Sequence, residues 1–156
     1  MGRWWRRQAV IAAAAARRLY GKVVHPVTVG VKVALFHDGR VLLVRHAYVP
    51  SWALPGGGVA RGEHPLAAAR REVSEELALD VGAVELFGIY VNRAEGKIDY
   101  VCLYRADLAS PSDVAPNYEI DEAAWFDPER LPADTGMATR RRVAELLTGR
   151  AADTSW

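Results

Sequence analysis

The chain has 156 residues, 51% hydrophobic and 25% charged, which is about one domain of ordinary globular sequence and excludes a disordered, collagen-like or low-complexity chain. Its net charge of +1 is unevenly shared: residues 1–22 hold six basic side chains and no acid, leaving 14 basic residues against 19 acidic ones elsewhere, a net −5. An acidic body is a poor general nucleic-acid binder, since such binding relies on Lys and Arg against phosphates and only the basic arm offers an electrostatic anchor, and the single Cys102 excludes an intramolecular disulfide and a cysteine-rich zinc site.

The basic arm comes first. Its apolar run, Ala9 to Ala16, is mostly alanine and far shorter than the roughly 20 residues needed to cross a bilayer as a helix. Arg6-Arg7 ahead of a short apolar run imitates an export signal, but the run is only weakly hydrophobic. Helical spacing places Arg3, Arg6, Arg7, Arg17 and Arg18 on one face and Trp4, Trp5, Ile11 and Leu19 on another. An amphipathic helix of this kind suits peripheral contact with an anionic membrane through residues 3–19. It also suits packing on the domain or on a second copy of it, as in a homodimer.

The domain proper is expected over residues 23–150, with 151–156 as a C-terminal tail. Pro26 to Phe36 is rich in β-branched residues and predicts a strand; His37-Asp38-Gly39-Arg40 supplies an Asp-Gly turn into a second strand, Val41 to Val44. Gly56-Gly57-Gly58 follows a loop with two prolines, and a helix is predicted from Pro65, a favoured first helical residue, to Leu77. His64 is placed to cap it. Val84 to Val91 and Ile98 to Ala106 read as a second hairpin, turning through Arg93-Ala94-Glu95-Gly96. Ile120 to Phe126 predicts a last strand and Met137 to Leu147 a closing helix, with Arg140, Arg141 and Arg142 read as a solvated face. Strands split by one helix and closed by another predict an α/β fold with helices packed on a mixed sheet.

The chemistry is concentrated between Gly56 and Leu79. Glu72, Glu75 and Glu76 stand at i, i+3 and i+4 on the predicted helix, so three carboxylates share one side of it and repel one another. Such hard oxygen ligands suit Mg²⁺, Mn²⁺ or Ca²⁺. The alternative is a solvated acidic face balanced by Arg70 and Arg71. The three glycines favour the metal reading, because they let the backbone come close to a ligand, and Glu63 adds a fourth acid near the helix start.

At these residues a family is recognisable. Gly57, Glu63, Arg71-Glu72-Val73, Glu75-Glu76 and Ala78-Leu79, at their spacing in this chain, resemble the Nudix box, with Ala78 where the box has glycine. Trp52 to Gly57 and Glu119 to Phe126 also look like the family, and the resemblance covers about residues 26–148. It implies an α/β/α sandwich and a Mg²⁺- or Mn²⁺-dependent hydrolase that cleaves the pyrophosphate linkage of a small nucleoside diphosphate derivative; separately, the lone cysteine suits a reducing, cytoplasmic setting and the basic arm a membrane-peripheral one. The resemblance further implies that Glu72, Glu75, Glu76 and the Gly56 carbonyl hold the metal, that Arg71 positions the carboxylates, and that Glu63 and Gly57 support the loop. The general base is left among Glu72, Glu119 and, third, Glu122. At Ala78, either the helix runs one residue further or alanine takes a left-handed conformation at a cost of roughly 1 kcal/mol.

Arg45, Tyr48 and Arg93 lie near predicted strand ends, where they can meet phosphate or base. Trp52 can stack on a base or pack beside the glycines. Marks of the ADP-ribose, dinucleoside polyphosphate and coenzyme A subfamilies are missing or out of register, so a nucleoside triphosphate and a nucleotide sugar stay open. So does a nucleotide-binding or regulatory module without turnover.

Overall fold

The computed structural model describes residues 12, 13, 16, 27–94, 97–110, 117–151 and 153–156. The predicted amphipathic helix of residues 1–22 therefore lies outside the described residues, except for Ala12, Ala13 and Ala16, which are helical and exposed. Among the described residues no helix is long and apolar enough to cross a membrane.

Five strands form one mixed sheet: β1 (Val27–His37), β2 (Arg40–His46), β3 (Glu85–Ala94), β4 (Lys97–Asp107) and β5 (Ile120–Phe126), in the order β3-β4-β1-β2-β5. Helix α1 (Pro65–Leu77) and helix α2 (Met137–Thr148) complete the fold. The β1–β2 and β3–β4 hairpins are both present, while β1 and β4 run parallel. Asp38 and Gly39 both have positive φ, 45° and 74°, the conformation a two-residue hairpin turn requires.

Strand alternation makes two cores. Val31, Val33 and Leu35 pack with Ala69, Val73 and Leu77 of α1, whereas Ala34, Phe36, Tyr90 and Leu103 pack with Val143 and Leu146 of α2. The result is the expected α/β/α sandwich. β1 and β2 pair only at Phe36 with Val41 and His37 with Arg40. Beyond that they part, and residues 53–59 fill the gap: Val44 and Ala53 exchange two backbone bonds of 2.9 Å, and Val33 and Val31 donate to Pro55 and Gly57 at 3.0 and 2.9 Å. This wedge carries the three glycines into the middle of the sheet.

His64 caps α1, its Nδ1 accepting from the Leu66 N–H at 3.2 Å. Its other end resolves the two readings of Ala78. The helix stops at Leu77, and Ala78 takes the left-handed conformation (φ 55°, ψ 30°) with its N–H on the Ser74 carbonyl.

Two expectations need correction. The arginine face of α2 is not all solvated: Arg142 is 0% exposed, pairs with Glu145 at 2.7 Å, and lies 4.0 Å from the centre of the Tyr90 ring. Arg140 is also engaged, donating to the Pro132 and Thr135 carbonyls. The tail is part of the fold as well. Val91 donates to the Thr154 carbonyl at 2.7 Å, Trp156 donates to the Val91 carbonyl at 3.0 Å, and the segment thus covers the free edge of β3.

Candidate active site

The wedge glycines and α1 meet at one place. Gly56 has φ +127°, and a β-carbon there would sit 2.3 Å from the Val31 carbonyl oxygen, so only glycine fits. A β-carbon on Gly57 would lie 2.6 Å from Glu72 Oε1. Glu76, 3% exposed, accepts the Gly56 N–H at 2.8 Å. Burial pushes its carboxyl up to about 7, against the opposing pull of Lys32.

Arg71 ties the loop to the helix. Its guanidinium donates to both oxygens of Glu63 at 2.8 and 3.0 Å, to Glu72 at 2.8 Å, to Glu75 at 3.0 Å and to the Gly58 carbonyl at 3.0 Å. The hydrogen bonds from Arg71 hold the Glu63 carboxyl down at about 2.

Glu119 faces this cluster from the loop before β5. Burial raises its carboxyl pKa, and the charges of Glu72 and Glu75 raise it further. Asn117, which the sequence reading missed, fixes that loop: its amide donates to the Glu76 carbonyl at 2.8 Å, and its oxygen accepts the Glu119 and Ile120 N–H groups. Lys32 was also missed, although a lysine between Val31 and Val33 in a core strand is a legible signal. Its ammonium donates to the Leu54 and Gly56 carbonyls, both at 2.8 Å, and burial lowers its pKa against the charges of Glu76, Glu72 and Asp99. Burial likewise pushes His46 down to about 3, so it is neutral, and its Nδ1, 3.7 Å from Glu76, is not an ion-pair partner.

The expected metal set is brought to one place but is not preassembled: among the described residues no three His, Cys, Asp or Glu side chains converge as ion ligands. Arg71 holds Glu72 and Glu75, and Lys32 holds the Gly56 carbonyl. The donor chemistry still fits a hard divalent cation, since crowding and burial raise Glu76 and Glu119 and all the candidate donors are oxygens.

Of the substrate candidates, Tyr48 lines a cavity of about 440 Å³ beside the glycines, with Thr28, Lys32, Asn92, Asp99 and Trp156. Arg45 and Trp52 do not line it. Arg45 pairs with Glu122 at 2.8 Å and Asp134 at 2.6 Å and lies over the Trp52 ring, which is buried against Phe126. The same pair occupies Glu122, the third candidate base. Arg93 lies apart, beside a smaller cavity of about 340 Å³ next to the tail.

The family model of the NUDIX domain matches residues 25–147. A MutT-like protein of Streptomyces ambofaciens is 38% identical over 117 residues, 75% of this chain and 74% of that protein. The nucleoside triphosphatase NudI of Salmonella agona is 31% identical over 124 residues, 69% of this chain and 88% of its own length. The crystal structure of the MutT Nudix hydrolase from Burkholderia pseudomallei superposes with a TM-score of 0.70 at 27% identity, covering 78% of this chain and 98% of the other. The chain belongs to the Nudix hydrolases.

Proposed function

We propose that this enzyme hydrolyses a nucleoside triphosphate by attack of water at phosphorus, in a reaction that depends on Mg²⁺ or Mn²⁺. The observation that carries this reading is the placement of Glu76 on the Gly56 N–H and of Glu72 against Gly57, with the Glu119 charge felt by this cluster, while the same glycines line a cavity of about 440 Å³. The Salmonella relative is a nucleoside triphosphatase, which supports the choice of substrate class.

Glu72, Glu75, Glu76 and the Gly56 carbonyl would hold the metal, which neutralises phosphate oxygens and makes bound water a stronger nucleophile. Glu119 is the candidate base, because it faces the cluster while Glu72 is engaged by Arg71 and Glu122 by Arg45. Lys32 lines the cavity, and its ammonium steadies the loop through the Leu54 and Gly56 carbonyls. Arg71 and Glu63 hold the loop on the helix. On this reading residues 23–150 are the catalytic domain and 1–22 a separate basic segment.

The test is turnover of a panel of nucleoside triphosphates and nucleotide sugars with Mg²⁺, with Mn²⁺ and after chelation. Hydrolysis of a triphosphate that EDTA abolishes is expected. Turnover that survives thorough chelation removes the metal, and exclusive cleavage of nucleotide sugars replaces the substrate.

A further inference from the structure

The cavity runs along the outer half of β1. At one end, Lys32 and Val31 adjoin the glycine wedge, Val31 donating to the Gly57 carbonyl. At the other, Thr28 pairs with Asp99 across the parallel ladder, and Asn92 pairs with Asp99 from β3. Lys32 lies four residue steps along the strand from Thr28, about 13 Å at the usual rise. Trp156 lines this far end, because its N–H is held on Val91, next to Asn92.

The Trp156 ring is braced by its neighbours. Tyr90 meets it edge to face at 5.8 Å between centres, and the Arg142 guanidinium lies 5.9 Å from its centre. Arg142 and Arg141 grip the backbone oxygens of Ser155 and Trp156, each at 2.5 Å. Arg142 is in turn fixed by Glu145, which also accepts the Tyr90 hydroxyl at 2.8 Å. An aromatic residue is thus held in place on the wall of the cavity that adjoins the glycine wedge.

We infer that Trp156 is the platform on which the base of the nucleotide stacks while its phosphates lie at the glycine wedge. This rests on the triphosphatase reading above and adds the residue that selects for a base. Stacking on an aromatic ring tolerates any base, since each has a π-face. The selection is therefore for a nucleoside over a bare phosphate chain.

The experiment compares the full-length protein with Trp156→Ala, Trp156→Leu and Trp156→Phe. Binding of a nucleoside monophosphate and of inorganic pyrophosphate is measured by calorimetry, and KM and kcat are measured on a nucleoside triphosphate. Trp156→Ala and Trp156→Leu should weaken nucleotide binding and raise KM about tenfold or more, with kcat within about threefold and pyrophosphate affinity within about twofold. Trp156→Phe should recover most of the loss. The leucine variant fills the packing space without a π-face and decides the matter if the alanine variant fails to fold.

Unchanged nucleotide affinity, equal losses for nucleotide and pyrophosphate, or no nucleotide binding by the wild type each overturn the inference. A wild-type protein that binds nucleotide through Trp156 and hydrolyses none overturns only the triphosphatase reading. An active enzyme indifferent to Trp156 overturns only this one.

Discussion

Arg71 and Glu63, eight residues apart, form a two-point ion pair at 2.8 and 3.0 Å that closes the glycine loop onto the helix bearing the acids. Such paired geometry adds orientation as well as attraction. Glu63→Gln should lower kcat by about 10–100-fold, the range for disturbing an outer partner of a metal site. The carboxyl, ordinarily at 4.5, is held at about 2 by Arg71, so its contribution to stability is complete above pH 4.5 and fades as pH falls toward 2. Acid melts of wild type and variant should converge over that range; a constant offset down to pH 2 would contradict the pairing.

Glu76 sits in a place that resists charge, and burial pushes its carboxyl up to about 7. Glu76→Gln can keep an acceptor for the Gly56 N–H while removing the buried negative group. Activity should fall at least about a hundredfold, and the metal-free melting temperature should hold or rise. Calorimetric melts beside turnover check this, and an active variant would place the metal elsewhere.

Gly57→Ala should leave the fold intact and disable the site. Its new methyl would meet the Glu72 carboxylate at 2.6 Å, and a carboxylate on a flexible stem can move where backbone cannot. A stability loss of about 1 kcal/mol, the low end for overpacking, should accompany at least a tenfold loss of activity. Retention of full turnover would show that Glu72 works from a displaced position.

Ala78→Gly should stabilise the protein by about 0.5–1 kcal/mol, because alanine at φ 55° carries a strain that glycine lacks, offset in part by the greater freedom of glycine in the unfolded chain. Denaturant unfolding measures it. A destabilised variant would mean that the alanine methyl has a packing role that outweighs the strain.

The acids of α1 were legible because helical spacing alone puts Glu72, Glu75 and Glu76 on one side, whatever the rest of the chain does. The cavity was not. Thr28, Asn92 and Asp99 come from three strands whose neighbourhood is created by pairing across long separations, and Trp156 arrives from the tail. Arg45 was misread for a related reason: cross-strand register sets it opposite Glu122, a partner invisible until β2 and β5 are aligned. Arg142 shows a different limit. It lies beside Val143 and Leu146 on the helix, a position that spacing indicates, but a run of three arginines pointed to solvent. A charge is tolerated there because Glu145 and two aromatic rings receive it.

The parallel pairing of β1 with β4 also governs the order in which the molecule can assemble. The Thr28–Asp99 bond joins positions 71 residues apart, whereas the turn at Asp38 and Gly39 joins near neighbours. Closing so long a loop must precede any reward from its contacts, which slows folding relative to local hairpins and helices. The glycine wedge and α1 fall within the closed stretch, and the tail that bears Trp156 docks on β3, itself paired to β4. The cavity is therefore a product of long-range pairing: its walls meet only once β1 has joined β4 and residues 154–156 have docked on β3.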